Sequence, residues 1–237
     1  NLYGVNAGYK IDDATRAEGY YWLKDTQKKA YTAVAGSHSK GDNTQVIGAR
    51  IGNVQMKDDM DISSQAELAY QFGKFHETST TKTVSRRAMA AQGAVTVGFK
   101  NAKYVPSFTL LGAWFSGKKD QNDGTTEGDK YYKGWDPMFE NQKFGDIANQ
   151  SFDQTNARIV GVAGTAKPAD DVMLKGEDYA YWWDQPYRAG STGVLSRTGY
   201  SLNMTHKRFA GQELDLTATY DYTEDVQFGL LCGMFFP

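Results

Sequence analysis

Residues 212–222 read Gln-Glu-Leu-Asp-Leu-Thr-Ala-Thr-Tyr-Asp-Tyr. Leu214, Leu216, Ala218, Tyr220 and Tyr222 share one parity, and Glu213, Asp215, Thr217, Thr219 and Asp221 share the other. Side chains alternate across an extended chain, so this stretch is a strand with one apolar and one charged face. The same period runs through nine further segments: 2–10, 15–25, 44–53, 61–73, 88–100, 106–117, 155–165, 172–183 and 226–236. Most exceed the ~5–6 residues of a common soluble strand and match the ~9–11 that cross a bilayer on a tilt. In the segment over 61–73, Ile62, Ala66, Leu68, Tyr70 and Phe72 oppose Ser63, Gln65, Glu67 and Gln71. No segment shows a helical period flanked by caps.

The connectors alternate in length. Residues 11–14, 54–60, 101–105, 166–171 and 223–225 are short; 26–43, 74–87, 118–154 and 184–211 are long. That layout predicts an all-β, transmembrane, antiparallel up-and-down barrel, with tight turns at one rim and large loops at the other. A Greek-key sandwich would not alternate in this way. The chain is expected to be a single barrel domain over 1–237, with 118–154 as a long extracellular loop. Even-numbered segments then run toward the long-loop rim. Their upper ends collect Tyr20, Tyr21, Trp22, Tyr70, Phe72, Trp114, Phe115, Tyr179, Tyr181, Trp182, Trp183, Phe235 and Phe236. Tyr9, Phe99, Tyr104, Tyr220 and Tyr222 mark the lower rim. Two aromatic levels one strand apart are expected to form the interfacial girdles of a membrane barrel. By the same parity the first segment descends and the last ascends. Ten strands are therefore expected to be an open piece of a larger wall.

Composition narrows the function. The 237 residues carry 26 basic and 28 acidic side chains, a net charge of −2 that offers no field for nucleic acid. The one Cys excludes an internal disulfide framework. Cys232 falls on the lipid-facing parity. The mean hydropathy of −0.59 suits a wall that shows one face to lipid and the other to water. Charges are costly in hydrocarbon and must point inward. Alternation assigns Lys10, Arg16, Glu18, Lys24, Arg50, Glu67, Arg158, Lys175, Glu177, Glu213, Asp215 and Asp221 to the lumen, where charge sets what a pore admits. Glu67, Glu213 and Asp215 are expected to form cross-strand ion pairs that hold the wall. For Arg16, Arg50 and Arg158, solute selection and wall structure stand level.

No catalytic residue is expected. His38, His76 and His206 fall in long connectors, and none sits in a strand beside a Ser with an orienting partner. Asp120, Asp123, Glu127 and Asp129 form an oxygen-rich loop, but they miss the calcium-loop spacing. A solvated loop is expected there, with calcium as the alternative, and no other cofactor. With 134–142 the same loop is long enough to fold into the pore as a constriction.

Three stretches resemble the alginate-export family of outer-membrane barrels. They are Ala-Glu-Leu-Ala-Tyr-Gln-Phe-Gly at 66–73; Ser116-Gly117 with Gly-Trp-Asp-Pro-Met-Phe-Glu-Asn-Gln at 134–142 and Phe-Gly-Asp at 144–146; and 212–216 with 222–229, ending in Phe-Phe-Pro at 235–237. Lys118 stands where that family usually carries an acidic residue. The resemblance implies a porin of 16–18 strands in the bacterial outer membrane, touching lipid and lipopolysaccharide. It implies passage of polar or anionic solutes, oligo- or polysaccharide among them. The alternative is a structural or receptor barrel whose filled lumen binds a partner.

Overall fold

The computed structural model describes residues 1–26, 41–76, 83–118, 131–138, 143–187, 192–194, 201–203 and 207–237. The strands are β1 (Leu2–Lys10), β2 (Thr15–Asp25), β3 (Asn43–Met56), β4 (Met60–His76), β5 (Thr83–Phe99), β6 (Ser107–Phe115), β7 (Tyr131–Tyr132), β8 (Ala157–Ala169), β9 (Val172–Trp183), β10 (Thr192–Val194), β11 (Ser201–Asn203), β12 (Phe209–Asp221) and β13 (Gln227–Phe236). One short helix, α1, spans Ile147–Ser151.

The ten long segments form one sheet in sequence order, β1-β2-β3-β4-β5-β6-β8-β9-β12-β13, and β7 adds to β5 in parallel. Each long strand pairs antiparallel with the next. This is the up-and-down wall of a β-barrel. Strands β4 and β5 run further than the text suggested, so their connector shrinks to residues 77–82.

Residues paired across an antiparallel ladder point to the same face, so the register can be followed around the wall. From β2, Trp22 pairs with Val46, Val46 with Gln71 and Gln71 with Ala88. Further round, Ala113 pairs with Ile159, Ile159 with Tyr181, Tyr179 with Glu213 and Glu213 with Phe235. These residues define the inner face, and residues from 131–138 and 143–152 pack on it. Phe115 meets Trp135 and Phe144 with ring centroids 6.4 and 6.2 Å apart, and Phe152 meets Phe235 at 5.8 Å. The buried core therefore lies between the wall and its own loop.

The outer face is exposed and apolar: Val5, Ile47, Ile51, Leu68, Val95, Leu110, Val160, Val162, Leu216 and Leu230 are all more than a third accessible. Cys232 is exposed on this face, opposite Leu216. The lower girdle is present: Tyr9, Phe99, Tyr104, Tyr220 and Tyr222 are exposed, and Phe99 and Tyr222 add edge contacts to Phe108 and Phe228. The upper girdle splits. Tyr21, Tyr70, Phe72, Trp114, Trp182 and Phe236 take the outer parity. Tyr20, Trp22, Phe115, Tyr179, Tyr181, Trp183 and Phe235 take the inner one, where the loop gives them a surface to pack on. One polar pair interrupts the outer face at mid-strand: the Gln212 amide donates to both carboxylate oxygens of Asp178 at 2.9 and 2.8 Å.

Candidate functional site: the inner face and its loop

The register places Lys10, Arg16, Glu18, Lys24, Arg50, Glu67, Lys175, Glu177, Glu213, Asp215 and Asp221 on the inner face. Arg158 is the exception. It alternates with the inward, buried Ile159, shares the outer row with Val160 and Val162, and is paired with Trp114 and Trp182. Its guanidinium donates through Nε and an NH2 group to Asp184 Oδ1 at 2.9 and 2.8 Å. Asp184 also accepts from Trp114 Nε1 and the Gly117 N–H, both at 2.9 Å. Burial disfavours its charge, but these donors outweigh burial and keep its carboxyl below the usual range. Arg158 thus fastens the upper outer rim, on the row of Val160 and Val162, where Asp184 neutralises it.

The inner charges divide by height. Toward the long-loop rim they hold the loop. Asp136 is the hub of one cluster. Lys24 donates to its two oxygens at 2.9 and 3.1 Å, and the Met138 N–H donates at 2.8 Å. Gln71 clamps the Asp136 backbone, accepting from its N–H at 2.9 Å and donating to its carbonyl at 2.6 Å. Arg86 donates to the Gly134 carbonyl at 2.9 Å and lies 5.4 and 5.0 Å from the Phe75 and Tyr132 ring centres. Burial opposes the Asp136 charge, but Lys24, the Met138 N–H and Arg86 prevail and hold its carboxyl below the usual range.

Glu213 and Asp215 of β12 form the second cluster. Glu213 accepts the Ile147 and Ala148 N–H groups at 2.6 and 2.8 Å, and Asp215 accepts the Asp146 N–H at 3.0 Å. These are first-turn amides of α1, which have no partner within a helix. The two carboxylates were expected to be cross-strand ion pairs; they are instead the caps of a helix brought in by the loop, 0 and 1 % exposed. Gly145 makes that approach feasible. Its φ is +76°, and a Cβ there would stand 2.5 Å from Glu213 Oε2 and from the Tyr181 hydroxyl. Glu67 departs from the ion-pair expectation as well. Its partners are neutral, the Tyr20 hydroxyl at 2.6 Å and the Gln92 amide at 2.7 Å.

Below the loop the inner face is polar and accessible. Arg50 pairs with Glu18 at 2.6 Å and Lys175 with Glu177 at 2.8 Å. Lys10 pairs with Asp13 of the adjoining turn, and Gln227 donates to Asp221 at 2.5 Å. Among the described residues Arg16 makes no ion pair. Thr96 bonds Thr109 at 2.8 Å and Ser107 bonds Thr165 at 2.7 Å, continuing the hydroxylated surface. Between this zone and the loop lies a cavity of about 370 Å³, lined by Tyr20, Trp22, Glu67, Phe115, Trp135 and Met138 among others. Asp120, Asp123, Glu127 and Asp129 lie outside the described residues, as do His38 and His206. Among the described residues no group of three acidic, His or Cys side chains could hold a metal ion.

Sequence reading missed Gln71, Arg86, Asp136 and Asp184 as functional positions. Only Asp136 had a signal, in the Gly-Trp-Asp-Pro text. The other three act through partners far away in the chain.

Fold and site together define a membrane β-barrel wall with a polar inner face partly covered by its own long loop. The alginate export family matches residues 1–237, the whole length, and the chain belongs to that family, one of outer-membrane transport proteins. No curated protein matches the sequence.

Proposed function

We propose that this wall belongs to an outer-membrane channel that passes polar or anionic solutes, oligo- or polysaccharide among them, down their gradient. The observation that carries the reading is the division of the inner face. Its lower part is an accessible mixed-charge and hydroxyl surface, and its upper part is narrowed by a loop held on carboxylates. Lumen charge and a constriction are what a pore uses to select. Family membership supports an export channel and leaves the solute open. The outer row faces lipid, and lipopolysaccharide above it.

The filled upper lumen favours a second reading, a receptor barrel whose loop is a permanent plug. The packed rings of Phe115, Trp135, Phe144, Phe152 and Phe235 support it. Single-channel recording of the full-length protein in a planar bilayer separates the two. Discrete conductance steps support the channel; their absence in correctly inserted protein sinks it and favours the receptor.

A further inference from the structure

The outer face carries a groove below its upper rim. Ile51, Ala66, Gly93, Gly112 and Val160 are register partners from β3 round to β8, so they share one outward row. The middle of that row is Ala-Gly-Gly, and its larger side chains stand at the two ends. Val95 and Leu110, paired with each other, close the depression from the row below. The groove measures about 610 Å³. Its walls Ile51, Val95, Leu110 and Val160 are 47 to 59 % exposed, so it opens toward hydrocarbon. The wall does not need a glycine at its floor: a Cβ at Gly112 would meet only the Ile159 carbonyl, at an ordinary 3.8 Å. The space is therefore room left on the lipid side.

The next row up is polar at the same end. Trp114, Arg158, Trp182 and Phe209 are partners across β6, β8, β9 and β12, and the Trp182 and Phe209 rings meet edge-on at 5.8 Å. Arg158 stands two residues, about 7 Å, above Val160. Its side chain is 54 % exposed even though it bonds Asp184, which is 5 % exposed. Those bonds use Nε and one NH2 group, and a guanidinium fork has further donors to offer. Arg208 donates to the Asp184 carbonyl, and Lys207 beside it is exposed. Three cations thus gather about one carboxylate, an excess of two positive charges. Asp178, the next carboxylate on this face, lies two rows lower, on the side of Arg158 away from the groove.

We infer that this stretch of the outer face is a binding site for one lipid A anchor of lipopolysaccharide. A lipid A phosphate accepts from the free edge of Arg158, with Lys207 and Arg208 adding charge. Trp114 and Trp182 lie on either side of Arg158, at the level where indole rings meet headgroups. One acyl chain descends beside Trp114 into the groove. Asp184 holds the guanidinium in place beforehand, so little side-chain freedom is lost when phosphate arrives. Lipid A is favoured over a phospholipid because the site lies at the long-loop rim, which faces outside in an outer-membrane barrel, and because its headgroup bears two phosphates to match the excess charge. The inference rests on the outer-membrane reading and names what the lipid-facing wall recognises.

The test uses the full-length barrel, stripped of lipid in detergent, at one low ionic strength and without divalent cations. Diphosphoryl lipid A and dioleoylphosphatidylglycerol are titrated in turn, and bound lipids are counted by native mass spectrometry. Saturable binding of one lipid A, about tenfold tighter than the phospholipid, is expected. Gly112→Leu fills the groove without touching a charge, and should weaken lipid A about fivefold. Arg158→Gln should weaken it about tenfold. Lys207→Gln leaves the Asp184 bonds intact and should weaken it about fivefold. Phosphatidylglycerol binding as tight as lipid A overturns the inference, as does a lipid A affinity unmoved by Gly112→Leu or by Lys207→Gln. A barrel that conducts in a phospholipid bilayer but binds no lipid A also overturns it, and leaves the channel reading standing.

Discussion

At the scale of single residues, most of the inner-face chemistry is a matter of which charge holds the loop. Asp136 shows the logic and its pH dependence. Its carboxyl sits below its usual value because Lys24, the Met138 N–H and Arg86 outweigh the effect of burial. A depressed carboxyl stabilises above the free value of about 3.9 and loses that stabilisation as pH falls through the depressed value. Amide protection over 131–138, followed by hydrogen exchange, should therefore be level from neutrality to about pH 5 and fall only below about pH 4. Lys24→Met removes the strongest opposing partner and should move the fall to higher pH; an unmoved profile would show that Lys24 does not set it. The second anchor is steric as well as polar. Gly145→Ala drives a Cβ against Glu213 and Tyr181 at a left-handed φ, and should cost about 1–3 kcal/mol locally. Faster proteolysis near α1 with unchanged barrel melting is the expected result.

At the scale of elements, the ten wall strands were legible because a buried or lipid-facing row imposes period two over many residues. Strands β1, β2 and β9 match the reading end for end. Helix α1 was not legible. It has five residues, too few for a period, and its first amides are capped by Glu213, 66 and 65 residues away in sequence. The inward half of the upper aromatics was hidden for a related reason, since strand text alone cannot say that a loop will cover one face. Arg158 was misplaced because the rule that charge points inward overrode its parity with Val160 and Val162; at this rim position Asp184 pairs the charge and lets it stay on the outer row. This yields a selectivity test with an internal control. Arg16→Gln and Arg50→Gln should shift the reversal potential of the channel in a salt gradient toward cation preference. Arg158→Gln should leave it unchanged and lower thermal stability, because it strips a charged donor from Asp184. A shift from Arg158→Gln would return that residue to the lumen. The same strands carry Asp178 on the outer face, between Val162 and Leu214. Charge facing lipid is unfavourable, so Asp178→Leu combined with Gln212→Leu should raise the melting temperature, by up to about 2 kcal/mol in stability.

At the scale of the molecule, the two faces of the sheet must meet different solvents, and this is the claim on which all others rest. A mean hydropathy of −0.59 describes neither face; it averages Leu214, Leu216 and Ala218 with Glu213, Asp215 and Thr217. One native probe and one engineered probe separate them. Cys232 pairs with Leu216 on the exposed outer row, and Thr217 lies one residue along β12 on the inner row, opposite Leu231. In membranes holding the intact protein, Cys232 should resist a charged, water-soluble maleimide and react with a bilayer-soluble one. In a Cys232→Ser background, Thr217→Cys should show the reverse, reacting with the charged reagent and slowing when the loop stays closed. Lys24→Met should then speed that reaction, because loosening the Asp136 anchor widens the aqueous path above Thr217. Labelling of both positions by the charged reagent would mean that the outer row meets water, and the sheet would not be a membrane wall. Labelling of neither by it, with Lys24→Met still without effect, would mean that the loop seals the lumen permanently, as the receptor reading requires.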